Sequence, residues 1–117
     1  MSSDLSFYYN RVDIISETAN QIIKDFCIYE MEIKFLGNAP NAYQELFMQI
    51  HPFISKMLDN NYQKLLQILY RIDVNEKHIS DAVQIHSGVE LSKIITDLII
   101  KRELQKVVIR NYYNQSK

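Results

Sequence analysis

The stretch Val89-Glu90-Leu91-Ser92-Lys93-Ile94-Ile95-Thr96-Asp97-Leu98-Ile99-Ile100-Lys101-Arg102-Glu103-Leu104-Gln105-Lys106-Val107-Val108-Ile109-Arg110-Asn111-Tyr112-Tyr113 decides the fold. It holds neither glycine nor proline, and its apolar residues recur at three- and four-residue steps, which reads as one long helix. At about 100° per residue, Leu91, Ile94, Ile95, Leu98, Ile109, Tyr112 and Tyr113 fall on one side, interrupted in the middle by Lys101, Arg102 and Gln105. A second stripe of Val89, Ile100, Leu104 and Val107 lies almost opposite. The helix therefore needs apolar neighbours on two faces, and the second stripe predicts an interface with another copy of the chain. The competing expectation makes this helix central, its far side covered by the Tyr29–Leu36 segment, and the chain a monomer.

Working backwards, three further helical stripes precede it. Tyr8, Val12, Ile15, Ala19, Ile22, Ile23 and Phe26 predict a first helix from about Leu5 to Phe26 or beyond. Tyr43, Leu46, Phe47, Ile50, Ile54, Met57 and Leu58 predict a second, begun by an Asn41–Gln44 capping pattern and kinked or broken near His51 by Pro52. Tyr62, Leu65, Leu66, Leu69 and Ile72 predict a third. A cap pattern in Asp73-Val74-Asn75-Glu76 starts a short fourth helix holding Ile79, Ala82 and Val83.

Residues 29–36 admit two readings. Tyr29, Met31, Ile33 and Phe35 alternate as in a strand, whereas Tyr29, Ile33 and Leu36 continue a helical stripe. No second alternating run exists for a strand to pair with, which favours a continued helix or an irregular segment covering the core unless two copies pair across a dimer. The predicted fold is a single all-α domain over residues 1–117, an antiparallel bundle of four to five helices with short connections. Its expected core is Ile15, Ile22, Phe26, Leu46, Phe47, Ile50, Leu65, Leu69, Ile72, Leu91, Ile95 and Leu98.

Composition agrees with a globular chain of this kind. The 117 residues are 47% hydrophobic and 23% charged, with 13 basic against 14 acidic side chains. Cys27 is the sole cysteine, so an internal disulfide framework is excluded. The amino terminus lacks the pattern of a secretory signal, and no apolar run approaches the roughly 20 residues of a membrane span. A cytoplasmic protein without a membrane role is the expectation.

Motifs of common chemistry are missing. Gly37 and Gly88, the only glycines, rule out phosphate-cradling loops of the GxGxxG or GxxxxGK type. Cys27 beside Phe26 and Ile28 reads as a buried, inert thiol, and a Cys–His nucleophile pair would need Cys27 near an imidazole such as His51 with a third orienting group, a proximity that no spacing in the sequence shows. His78, Asp81, His86 and Glu90 gather metal-ligand types, but at no recognised spacing, and helix caps use the same residues. Glu30 and Glu32 read as a solvated face. No catalytic set, metal site or cofactor is predicted.

Charge is uneven. Residues 101–117 carry five basic groups and one acidic, and Lys101, Arg102, Lys106, Arg110 and Lys117 are candidate nucleic-acid contacts. The preceding helix, glycine turn and helix are superficially like a helix-turn-helix. However, Gly88 falls six residues after Ala82 instead of about four, and Leu91, Ile94 and Ile95 occupy the early face that should read bases. Cations at a helix carboxyl end also complement its dipole.

Leu69-Tyr70-Arg71-Ile72-Asp73-Val74-Asn75-Glu76, with Arg102-Glu103-Leu104-Gln105-Lys106-Val107, resembles a group of small uncharacterised bacterial all-helical proteins. The resemblance implies a bacterial cytosolic helical domain and lends no activity, cofactor or site residue. The functional expectation is a non-catalytic helical interaction protein that self-associates as a homodimer or meets another protein partner, with nucleic-acid binding through residues 101–117 as the alternative.

Overall fold

The computed structural model describes residues 5–28, 34 and 42–115. Over these the chain forms a single 3-10 turn, Leu5–Tyr8, and five α-helices: α1 (Val12–Phe26), α2 (Ala42–Asn60), α3 (Tyr62–Arg71), α4 (Glu76–Ile85) and α5 (Leu91–Gln115). No strand occurs among the described residues, so the fold is all-α as expected. Apart from Lys34, the segment 29–36 with its two readings lies outside the described residues, as does Asn41. The backbone of Lys34 is held against α2 by Gln49, whose side-chain oxygen accepts from Lys34 N at 3.0 Å and whose amide donates to Lys34 O at 2.8 Å.

The first helix is shorter than its stripe at the amino end and does not extend past Phe26. Arg11 is extended, and its guanidinium grips Asp13 in the first turn of α1 at 2.9 and 3.1 Å. At the other end Cys27 takes a left-handed conformation, φ 55°. Its N–H donates to Lys24 O at 3.3 Å and that of Ile28 to Ile23 O at 3.0 Å, the paired bonds of a Schellman stop. Ile28 is buried and closes the motif with an apolar contact. The end of α3 repeats this design. Asp73 is left-handed at φ 69°, Asp73 N–H reaches Tyr70 O at 3.1 Å, Val74 N–H reaches Leu69 O at 2.8 Å, and Val74 is buried.

Pro52 does not break the second helix, which continues from Ala42 to Asn60. The cap of α4 falls on Asn75, two residues after the Asp73 that opens the sequence pattern. Asn75 Oδ1 accepts from His78 N–H at 2.9 Å and Asn75 N–H donates to His78 Nδ1 at 3.2 Å, a capping box closed by histidine.

α5 is central. It packs most extensively on α1 and α2, with α4 and the 3-10 turn alongside. Contacts join Tyr43 to Asp97 and His51 to Ser92 on one flank, and Glu17 to Arg110 and Asp25 to Lys106 on the other. In both cases one helix rises in number as α5 falls, so α1 and α2 each run antiparallel to it. One core of Ile15, Ile22, Phe26, Leu46, Ile50, Ile54, Leu65, Ile72, Ile99, Ile100, Leu104 and Val107, each essentially inaccessible, unites α1, α2, α3 and α5. Among the expected core residues, Phe47 and Leu98 are half-buried and Leu91 is exposed at the edge of the α4–α5 turn. α4 buries no residue and lies on the periphery. No described helix is long and apolar enough to cross a membrane.

Candidate interaction surface

The stripe expected to form an interface is divided by the structure. Ile100, Leu104 and Val107 are fully buried in the chain's own core, while Val89 stays exposed before the first turn of α5. α1 and α2 cover two faces of α5, so three of the four residues are not available to a second copy, and the Tyr29–Leu36 segment expected as the cover lies, apart from Lys34, outside the described residues. The opposite stripe is corrected as well. Ile109, Tyr112 and Tyr113, on the side expected to face the core, are exposed, while the same turns give α1 their polar side through Arg110 and Asn111, both bonded to Glu17.

The last turns of α5 build an exposed apolar surface. Phe7, at 73% exposure, joins Ile109 (46%), Tyr112 (67%) and Tyr113 (64%) around an open cleft of about 470 Å³ floored by Tyr8, Ile14 and Val108. The Phe7 and Tyr8 rings meet edge to face at 5.2 Å, as do Tyr112 and Tyr113 at 5.9 Å. Arg11 and Asn111 also line the cleft. Ion pairs of both signs stand nearby: Arg11 with Asp13, and Arg110 with Glu17 at 2.8 Å.

Two polar seams flank α5. On the α2 side, the Tyr43 hydroxyl donates to Asp97 Oδ1, and Lys101 Nζ lies 2.9 Å from Asp97 Oδ2. Burial and the Asp97 carboxylate both push the Tyr43 hydroxyl far above the usual tyrosine range, so it remains a donor. The Tyr9 ring stacks on Tyr43 at 4.3 Å, and the His51 ring on Phe47 at 5.8 Å. His51 Nε2 and Ser92 Oγ are 2.9 Å apart. That nucleophile-and-base pair is packed between helices: Ser92 is 7% exposed, and Ser92 O accepts from Thr96 in the next turn. A spacing of 41 residues leaves no local signal of it in the sequence, where the candidate nucleophile pair is Cys27 with His51. Cys27 itself is exposed at its left-handed position, contrary to the buried thiol expected.

On the α1 side, Arg110 donates to Gln21 at 3.0 Å, Gln21 to Asp25 at 3.1 Å, and Asn111 to Glu17 at 3.2 Å. Lys106 Nζ lies 3.1 Å from Glu103 Oε1 and 3.7 Å from Asp25 Oδ2. Glu103 is fully buried. Burial, with the neighbouring Asp25 carboxyl adding to it and Lys106 opposing, pushes its pKa up to about 8. For Asp25 burial acts upward too, but the neighbouring Glu103 carboxyl, the bond from Gln21 and the charges of Lys106 and Arg71 outweigh it and hold the carboxyl below the ordinary aspartate value.

These seams absorb the basic segment. Lys101 is paired with Asp97, Lys106 with Glu103 and Asp25, and Arg110 with Glu17. Arg102 donates to Ile72 O at 3.0 Å and Gln105 at 2.8 Å, and lies 3.6 Å from Asp73. Lys117 lies outside the described residues. Each described cation of the segment thus has an acidic neighbour on the protein itself.

His78, Asp81 and His86 line one cleft of about 300 Å³ between α4 and α5. They do not make a ligand set: no group of three or more metal-ligating side chains is found among the described residues, His78 Nδ1 serves the α4 cap, and Asp81 pairs with Lys77 at 3.2 Å. Glu90 is turned to Lys93 at 3.8 Å. No protein-family model matches the chain, and no curated protein or solved structure is significantly similar to it.

Proposed function

We propose that the chain is a non-catalytic helical interaction protein that pairs with a second copy of itself through the aromatic end of α5. One observation carries this reading: Phe7, Ile109, Tyr112 and Tyr113, four large apolar side chains, are gathered at one exposed site instead of being scattered. Tyrosine and phenylalanine in such a cluster bring large contact area at small entropic cost, the composition typical of interface centres.

A second copy fits the rim. Arg11–Asp13 and Arg110–Glu17 place both signs of charge beside the cleft, so a two-fold axis can set the basic groups of one copy against the acidic groups of the other. The formal net charge of −1 adds little repulsion between copies. Against catalysis stands the Ser92–His51 pair, the nearest approach to a nucleophile and base, which is packed shut between α2 and α5.

Sedimentation velocity of the wild type and of Phe7→Glu with Tyr113→Glu tests the proposal. The wild type is expected as a dimer at micromolar concentration, and the double variant as a helical monomer. A wild type that stays monomeric at high micromolar concentration rejects self-association by this surface.

A further inference from the structure

Among the described residues, three buried side-chain atoms lack a hydrogen-bond partner: Asp25 Oδ2, Glu103 Oε1 and Glu103 Oε2. All three belong to two carboxyl groups that face each other, one from α1 and one from α5. Both groups also approach the same cation, Lys106, without a hydrogen bond from its ammonium group. Two ionised carboxylates in that position would set acceptor against acceptor, with a single lysine to offset two charges. Buried acceptors are costly to leave unpaired, and a carboxyl group that keeps its proton becomes a donor.

We propose that Asp25 and Glu103 hold one proton between them across the α1–α5 seam, and that losing this proton loosens the end of α1 from α5. Glu103 carries the proton, because it is fully buried, whereas Asp25 is partly exposed and is supported by Gln21 and Arg71 as well as Lys106. From α1, Gln21 donates to Asp25 Oδ1. From α3, Arg71 donates to the Asp25 main-chain oxygen at 2.6 Å and adds positive charge beside its carboxylate. From α5, Lys106 faces both acids. The protonated Glu103 donates to Asp25, which fills two of the orphaned acceptors with one hydrogen.

When the proton leaves to solvent base, the balance at the seam changes from one buried carboxylate to two, with no new cation. The upward pKa of Glu103 puts that change in the mildly alkaline range. Phe26, Cys27 and Ile28 follow immediately on α1, so repulsion at Asp25 acts directly on the Schellman stop that ends the helix.

Infrared difference spectra of the whole chain provide the first test. A protonated carboxyl band is expected near neutral pH that fades as pH rises toward 9 and is missing from Glu103→Gln. Amide hydrogen exchange provides the second, with the Gln variant as reference for the intrinsic pH effect. Exchange at the end of α1 should accelerate with pH in the wild type more than in Glu103→Gln, whose amide donates in place of the proton. If the variant fails to fold, the wild-type spectra decide alone: absence of a protonated carboxyl at pH 7 overturns the proposal. Parallel exchange of both proteins across the range overturns the coupling to α1.

Discussion

Arg110 and Glu17 form an ion pair of 2.8 Å that joins α5 to α1 across 93 positions of sequence, and both side chains are close to half exposed. Its energetic value is small for that reason: solvent screens the attraction, and such pairs contribute about 0–1 kcal/mol. Its functional consequence is larger. Arg110, like Lys101, Arg102 and Lys106, has acidic neighbours within the protein, so these cations offer little net charge to phosphate. Retardation of duplex and single-stranded nucleic acid at low salt is the measurement, and no shift is expected. A salt-sensitive shift weakened by Lys106→Glu with Arg110→Glu would establish binding through residues 101–117.

Cys27 and Asp73 hold left-handed conformations that favour glycine. Cys27→Gly and Asp73→Gly should each raise stability by about 0.5–1 kcal/mol, since each relieves backbone strain while both Schellman hydrogen bonds remain. Asp73→Gly also removes the carboxylate that pairs with Arg102, but that carboxylate is mostly exposed and its absence offsets little. Urea denaturation distinguishes the outcomes. A loss of stability in both variants would contradict the strain assignment.

These two stops also mark where the sequence was opaque. The stripes of α1, α2 and α3 were legible because each helix has one wet face, and their centres lie where periodicity places them. A helix end signalled by a buried Ile28 two residues past α1, or Val74 three past α3, has no glycine to announce it. α5 failed differently: with α1 and α2 on two faces it carries two apolar stripes, and a single chain's periodicity does not say whether the second cover is its own or a partner's. Hence Ile100, Leu104 and Val107 read as an interface, while Tyr112 and Tyr113, on the stripe that faces inward elsewhere, read as core. Phe7 carried no signal beyond being aromatic near the amino end. Glu103 has the sequence spacing of an ordinary helical partner for Lys106, and only the packing of α1 buries it.

Within α3, Leu69 is 2% exposed and its neighbour Tyr70 is 87% exposed. Leu69→Ala should cost about 2–5 kcal/mol through reduced burial and the cavity left behind, whereas Tyr70→Ala should stay within about 0.5 kcal/mol. Chemical denaturation monitored by circular dichroism separates them, and equal costs would mean that α3 presents a different face to the core.

Stability should fall on the alkaline side, and the sign follows from the direction of the shift. Glu103 binds its proton more tightly in the folded chain than in the unfolded one, so its contribution is fully present below the ordinary glutamate pKa near 4.5 and is lost as pH rises through about 8. Asp25, held low, contributes in the opposite sense: its share is present above the ordinary aspartate pKa and is lost on acidification. Thermal melts of the wild type should therefore show a falling midpoint from pH 6 to 9, shallower in Glu103→Gln. A flat wild-type profile would contradict the assignment.

Leu104→Lys tests most directly whether α5 is the central helix of its own chain, the claim on which both the core and the displaced interface rest. Leu104 is completely buried between neighbours of the same molecule, so an ammonium group there has no partner and no water, a cost of several kcal/mol. Circular dichroism at 222 nm through a urea titration, read together with sedimentation, is the measurement. The structure predicts loss of the cooperative helical transition. A variant that keeps the wild-type spectrum and transition but sediments as a smaller species would show that Leu104 faces a second copy, and would return the interface to the stripe of Ile100, Leu104 and Val107.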